Sequence, residues 1–211
     1  MFITFEGVDS CGKTTQVKKL YDFLSENNKP CILTKEPGGS ESANKIRSLL
    51  LENSDFLPLT QLLLINASRS ENIFKIIQPS LNSGKIVLCD RFIDSTTIYQ
   101  AKKAGLGEDI VKNLHSLLFA NFMPDVTFYL KINKQTAVKR VEGKKTSLFS
   151  HEEHNWMDDF AVSEITKMID WFNEIFESPH NNNRKIFVID ANQNQEDVFK
   201  QILNCIKSIN L

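Results

Sequence analysis

An α/β fold built around one parallel sheet is predicted by two observations. Apolar runs of strand length alternate with helical stretches along the whole 211-residue chain. The first of these runs also opens directly into a glycine-rich segment and then an amphipathic helix. Strand–helix alternation calls for right-handed crossovers and a sheet covered on both faces. Continuous apolar strands such as Ile86-Val87-Leu88-Cys89 fit burial on both sides. In order, strands are expected at Met1–Phe5, Cys31–Lys35, Lys85–Cys89, Val126–Ile132 and Ile186–Ile189. Helices are expected near Lys13–Asn27, Glu41–Asn53, Pro58–Leu81, Glu108–Ala120, Lys134–Val141, Asp158–Phe176 and Gln195–Ile209. Asn27-Asn28-Lys29-Pro30, Pro37-Gly38-Gly39 and Asn82-Ser83-Gly84 punctuate them, as does the stretch from Pro179 to Asn183. Glu142 to Asn155 has mixed charge and little periodicity, and reads either as a mobile loop over a site or as a surface connection.

The glycine-rich segment is Gly7-Val8-Asp9-Ser10-Cys11-Gly12-Lys13-Thr14, which fits GxxxxGK[ST], the P-loop. Glycines let successive backbone N–H groups turn toward phosphate oxygens, and the following helix N-terminus adds positive potential. Lys13 is placed to reach the β- and γ-phosphates, and the Thr14 hydroxyl to sit on Mg²⁺. A nucleoside triphosphate is therefore the expected ligand.

Composition bounds the remaining choices. The chain is 41% hydrophobic and 24% charged, ordinary values for one globular domain spanning residues 1–211. A formal charge of −1 leaves no footprint for a nucleic-acid polymer. No apolar run approaches the roughly 18 residues of a membrane span, and the first strand starts at once, with no targeting pattern ahead of it. Cys11, Cys31, Cys89 and Cys205 form no CxxC pair and read as buried, reduced thiols, in keeping with a cytoplasmic location.

Four polar segments fall where strands are ending or beside them, and ligands of open α/β sheets bind at the carboxyl ends of strands. Glu36 and Pro37-Gly38-Gly39 follow the second strand, with Arg47 on the next helix. Asp90-Arg91 follows the third strand. An Asp there resembles the carboxylate that holds Mg²⁺ directly or through water, and a guanidinium can span two phosphates; the alternative is a surface ion pair. Ser95-Thr96-Thr97-Ile98-Tyr99-Gln100 ends on an amide that can read a base edge, unless it is only a polar loop running into a helix. Arg69 follows Ile65 by four residues on one helix face, and would otherwise snorkel to solvent.

Together these segments resemble the thymidylate kinase family in its bacterial form. The match runs in order and spacing through the P-loop, Glu36–Gly39, Ile46-Arg47-Ser48-Leu49-Leu50-Leu51, Asp90–Gln100 and Pro124-Asp125-Val126-Thr127-Phe128-Tyr129-Leu130. The resemblance implies a five-stranded P-loop NTPase fold, usually a homodimer. It also implies transfer of the γ-phosphoryl of MgATP to dTMP, giving dTDP. By the same resemblance, Gly7, Val8, Asp9, Ser10, Cys11, Gly12, Lys13 and Thr14 hold ATP, and Arg140 stacks on adenine. Thr14 and Asp90 serve the metal, and Asp9 lies near the acceptor phosphate. Glu36, Arg47 and Arg91 order the dTMP phosphate and sugar. Arg69 and Gln100 bond thymine, Ser95 and Thr96 line its pocket, and Tyr99 fills the space of a ribose 2′-hydroxyl. Lys13, Arg91 and Asp9 form the catalytic set, because phosphoryl transfer needs positioning and charge neutralisation more than covalent chemistry.

Three positions depart from the family pattern. Ile65 stands where a Phe stacks on thymine. Ser10 leaves the early P-loop without a basic residue, yet no arginine lies between Arg140 and Arg184 to arm a lid around 142–155; Lys144 and Lys145, with His151 and His154 behind them, are the nearest substitutes. Lys131 replaces an acidic residue. Another P-loop kinase acting on a different nucleotide or nucleoside is the main alternative. A nucleotide-binding switch is the other, though the guanine-reading N/TKxD motif is absent.

Overall fold

The computed structural model describes residues 1–52, 55–146, 162–178, 184–209 and 211. Strands β1 (Phe2–Glu6), β2 (Cys31–Lys35), β3 (Ile86–Asp90), β4 (Val126–Lys131) and β5 (Lys185–Asp190) form one sheet in the order β2-β3-β1-β4-β5. Every pairing is parallel. The parallel register aligns the strand ends: Phe5 of β1 and Lys35 of β2 both pair with Asp90 of β3. The segments leaving β1, β2 and β3 therefore emerge side by side.

Helices α1 (Lys13–Glu26), α2 (Glu41–Glu52), α3 (Pro58–Asn72), α4 (Gln78–Asn82), α5 (Ile93–Thr96), α6 (Glu108–Phe119), α7 (Lys134–Thr146), α8 (Val162–Phe176) and α9 (Gln195–Ser208) complete the described chain. The alternation of Cβ along each strand sends Phe2, Val87 and Cys89 into one cluster with Leu62 of α3 and Val111 and Phe119 of α6. Ile3, Phe5 and Leu88 enter another with Val17, Leu20 and Leu24 of α1 and Val198, Ile202 and Ile206 of α9. Helix starts follow local chemistry. Pro58, whose missing N–H costs nothing at a first turn, opens α3, and the Asn194 side chain caps α9 by accepting from the Glu196 and Asp197 N–H groups.

Two segments are wound more widely than an α-helix, Ile73–Ile77 between α3 and α4 and Thr97–Lys103 after α5. In the first, Pro79 lies just downstream with no N–H to donate and a ring that would crowd an α-helical carbonyl, so the looser turn relieves both. The second rules out the alternative that Ser95–Gln100 is only a polar loop running into a helix. The chain is helical from Ile93 on, and Ser95, Thr96, Thr97 and Gln100 are buried rather than solvated. Glu142 to Thr146 is likewise the end of α7, not a loop. The remainder of the expected lid, with His151 and His154, lies outside the described residues, as do the side chains of Lys144 and Lys145. All four cysteines are free, but only Cys11 and Cys89 are buried; Cys31 and Cys205 are half-buried.

Candidate active site

β1 ends at Glu6 and the P-loop begins at Gly7, whose φ of 145° and close surroundings need glycine: a Cβ there would lie 2.9 Å from the Leu130 carbonyl. The loop curls around Lys13, whose Nζ donates to the carbonyls of Gly7 and Val8, each at 2.9 Å. Thr14 donates to Asp90 Oδ2 at 2.5 Å, so the expected metal pair meets between the first turn of α1 and the end of β3. Asp90 Oδ1 is buried and has no hydrogen-bond partner. An unsatisfied carboxylate oxygen beside a hydroxyl fits a hard cation that takes its other ligands from water and phosphate. Among the described residues no group of three or more His, Cys, Asp or Glu could hold a metal alone. Burial pushes the Cys11 thiol up, which leaves it inert and in a packing role.

Beside the P-loop lies a cavity of about 140 Å³. Every residue expected around the acceptor lines it: Asp9, Glu36, Arg47, Ile65, Arg69, Arg91, Ser95, Thr96, Tyr99 and Gln100. Arg69 does not snorkel. It is 1% exposed, donates from Nε to Glu36 Oε2 at 2.7 Å and from Nη2 to Thr96 Oγ1 at 2.7 Å, and lies over the Phe92 ring. Its Nη1 is buried without a partner. Burial pushes the Glu36 carboxyl up, against the opposing pull of Arg69. Arg47 donates to the Pro37 carbonyl at 3.0 Å and closes the corner after β2.

Arg91 is no surface ion pair. It sits at φ 71°, an uncommon backbone state for a non-glycine residue, and its guanidinium meets Asp9 and, at 3.1 Å, the Ser95 hydroxyl. Tyr99 donates to the other Asp9 oxygen. Burial opposes the charge on Arg91, but Asp9 with its neighbours outweighs it and raises the guanidinium well above its ordinary value. Burial raises the Tyr99 hydroxyl as well, so it stays a donor. Arg140 lies at the other end of the P-loop, where it donates to the Cys11 carbonyl at 3.2 Å and the Ala191 carbonyl at 2.9 Å. Lys131 pairs with Glu177 at the surface, away from the cavity lining.

Sequence reasoning missed several neighbours. Asn72 reaches Glu36 at 3.4 Å and accepts from Thr34 at 2.8 Å; its position three residues after Arg69 on α3 was a usable signal. Phe92, Leu50, Leu51 and Gln61 also line the cavity. Glu6, the polar end of an apolar strand, is wholly buried.

Comparison with known proteins decides the family. A family model described as Thymidylate kinase matches residues 5–202. The chain belongs to the thymidylate kinase family. A thymidylate kinase of Finegoldia magna is 39% identical over the full length of both chains. One from Dehalococcoides mccartyi is 48% identical over 66% of this chain and 68% of its own. The crystal structure of thymidylate kinase from Ehrlichia chaffeensis matches with a TM-score of 0.72 and 32% identity, covering 98% of each chain. The five-stranded parallel sheet is thus the P-loop NTPase fold of a thymidylate kinase.

Proposed function

We propose that the cavity beside the P-loop is the dTMP site of this kinase and that Lys13, Arg91 and Asp9 carry the transfer. The enzyme phosphorylates dTMP to dTDP with ATP as donor. The observation that carries the site assignment is the unpartnered Nη1 of Arg69, a buried cationic donor in the cavity wall whose missing acceptor a thymine carbonyl supplies. Gln100 lies in the same wall with an amide suited to a base edge. Arg91 and Arg47 serve the acceptor phosphate, Glu36 and Arg69 hold one another in place, and Tyr99 crowds the sugar. On the donor side the N–H groups of the P-loop cradle ATP, Lys13 leaves its loop carbonyls for the phosphates, and Arg140 faces the adenine.

Thr14 and Asp90 would hold Mg²⁺. The ion would neutralise charge developing on the transferred phosphoryl group. Free thiols and the lack of any helix long and apolar enough to cross a membrane among the described residues support a cytoplasmic enzyme. A homodimer is supported by exposed Leu59 and Leu63 on α3 and Leu117 and Leu118 on α6, two helices that pack together. Coupled assay of ADP release tests the acceptor. The dTMP rate should exceed that with dUMP by roughly 10- to 200-fold, the worth of one methyl group in a fitted pocket. Equal kcat/KM for dTMP and dCMP would overturn the assignment of the base site.

A further inference from the structure

The Asp90–Arg91–Phe92 turn has to keep Arg91 at φ 71° and still present its guanidinium to the cavity. A non-glycine residue in that region persists only where its surroundings hold it. The surroundings converge on Glu6. Its Oε1 accepts from the Phe92 N–H at 2.7 Å, and its Oε2 accepts from the Ser95 hydroxyl at 2.6 Å. The carboxylate is fully buried, so both oxygens are satisfied only while the turn and the start of α5 stay in place.

Ser95 has a single hydroxyl proton, and it donates that proton's hydrogen bond to Glu6. The serine oxygen therefore meets Arg91 Nη1, at 3.1 Å, with a lone pair. Arg91 N–H donates in turn to the Phe5 carbonyl at 3.0 Å, one residue before Glu6. Strand β1 thus holds both the backbone of the arginine and, through one hydroxyl, its side chain.

We propose that Glu6 is a positioning residue for phosphoryl transfer, fixing the turn after β3 and the direction of the Ser95 hydroxyl so that Arg91 is presented to the transferring phosphate. This rests on the role assigned to Arg91 above. A glutamine at position 6 has nearly the same shape but the wrong polarity. Its single amide oxygen can take the Phe92 N–H, and its NH₂ then donates to Ser95. The serine oxygen must then accept from both that amide and Arg91, and its proton loses the acceptor that fixed the direction of the hydroxyl.

The test compares wild type, Glu6→Gln, Arg91→Ala and the double variant in steady-state assays with ATP and dTMP at a pH of about 8.5, where Glu6 is ionised. Glu6→Gln should lower kcat about tenfold to a hundredfold, the usual scale for a misplaced catalytic group, and leave KM for ATP within about twofold. In the Arg91→Ala background it should cost nothing further, because its effect passes through the guanidinium. Wild-type kcat in Glu6→Gln overturns the proposal, as does an equal proportional loss in both backgrounds, which would mark general support of the fold. Wild-type kcat in Arg91→Ala would instead overturn the assignment of Arg91, and the proposal with it. Should Glu6→Gln fail to fold, Ser95→Ala reads the same relay: a lower kcat at unchanged KM for ATP supports it, and wild-type kcat overturns it.

Discussion

Lys13 is held by two loop carbonyls, so its ammonium sits ready at the P-loop and contributes little to the hydrophobic core. Lys13→Ala should therefore abolish turnover while the melting temperature holds. The loss of a preorganised charge at the reacting group costs on the order of hundreds-fold in kcat. More than about a tenth of wild-type kcat would contradict the role given to Lys13. At Ile65, which lines the cavity, Ile65→Phe should tighten dTMP binding about 2- to 10-fold through base stacking, measured by calorimetry with ATP as the control. Looser dTMP binding at a preserved melting temperature would mean that the pocket is already shaped around isoleucine. Glu6 carries a pH signature. Burial and the neighbouring Asp94 push it from 4.5 to about 7, against Ser95, Arg91 and the Phe92 N–H. A carboxyl raised by folding binds its proton more tightly in the native state. Wild type should therefore lose stability relative to Glu6→Gln as pH rises from about 4.5 to about 7, read as the difference in melting temperature between the two proteins. A pH-independent difference would show that Glu6 ionises as freely in the fold as outside it.

The elements meet through ion pairs that no local pattern announces. Glu36 at the end of β2 and Arg69 on α3 are both almost fully buried and joined at 2.7 Å. Removing one charge leaves the other in a low-dielectric wall, a loss of about 3–5 kcal/mol. Glu36→Gln should accordingly lower the melting temperature by about 10 °C and raise KM for dTMP, with KM for ATP little changed. A melting temperature within a degree or two of wild type would show that Arg69 finds another partner. Gly39 sits at the same corner. A Cβ there would lie 2.1 Å from the Asn72 oxygen, so the turn after β2 and the end of α3 approach as closely as they do only over glycine. The Pro37-Gly38-Gly39 run made a turn legible; that it packs against α3 was not.

For the whole molecule, the expected pairing of two copies has a direct readout. The mass in solution should be twice the 24.1 kDa of one chain, and Leu117→Glu, at a side chain 82% exposed, should give a monomer with unchanged helical content. A monomeric wild type would remove the dimer from this reading. Parallel topology organises the rest of the molecule. Because all five strands run the same way, the P-loop, the Glu36 corner and the Asp90–Arg91 turn share one edge of the sheet. That is why residues spread from Asp9 to Gln100 line a single cavity.

By itself the sequence determined the alternation of strands and helices, the P-loop and part of the cavity wall, Glu36 and Arg91 among it. Each of these is a local signal: a periodicity, a glycine where φ is positive, or a charged residue at the end of an apolar run. The wide turns through Ile73–Ile77 and Thr97–Lys103 kept a helical pattern and so read as helix or as loop. Only the tertiary structure decided which polar groups are buried and whom they face. Glu6 is silent beside Gly7 until folding brings Phe92 and Ser95 over it, and Asp94 is one more acid on a helix until Arg184 clasps it at 2.8 and 2.7 Å. Residues about ninety positions apart leave no mark on each other's neighbourhood in the chain. Their pairing follows from the desolvation cost of a buried charge, which only the packed fold imposes.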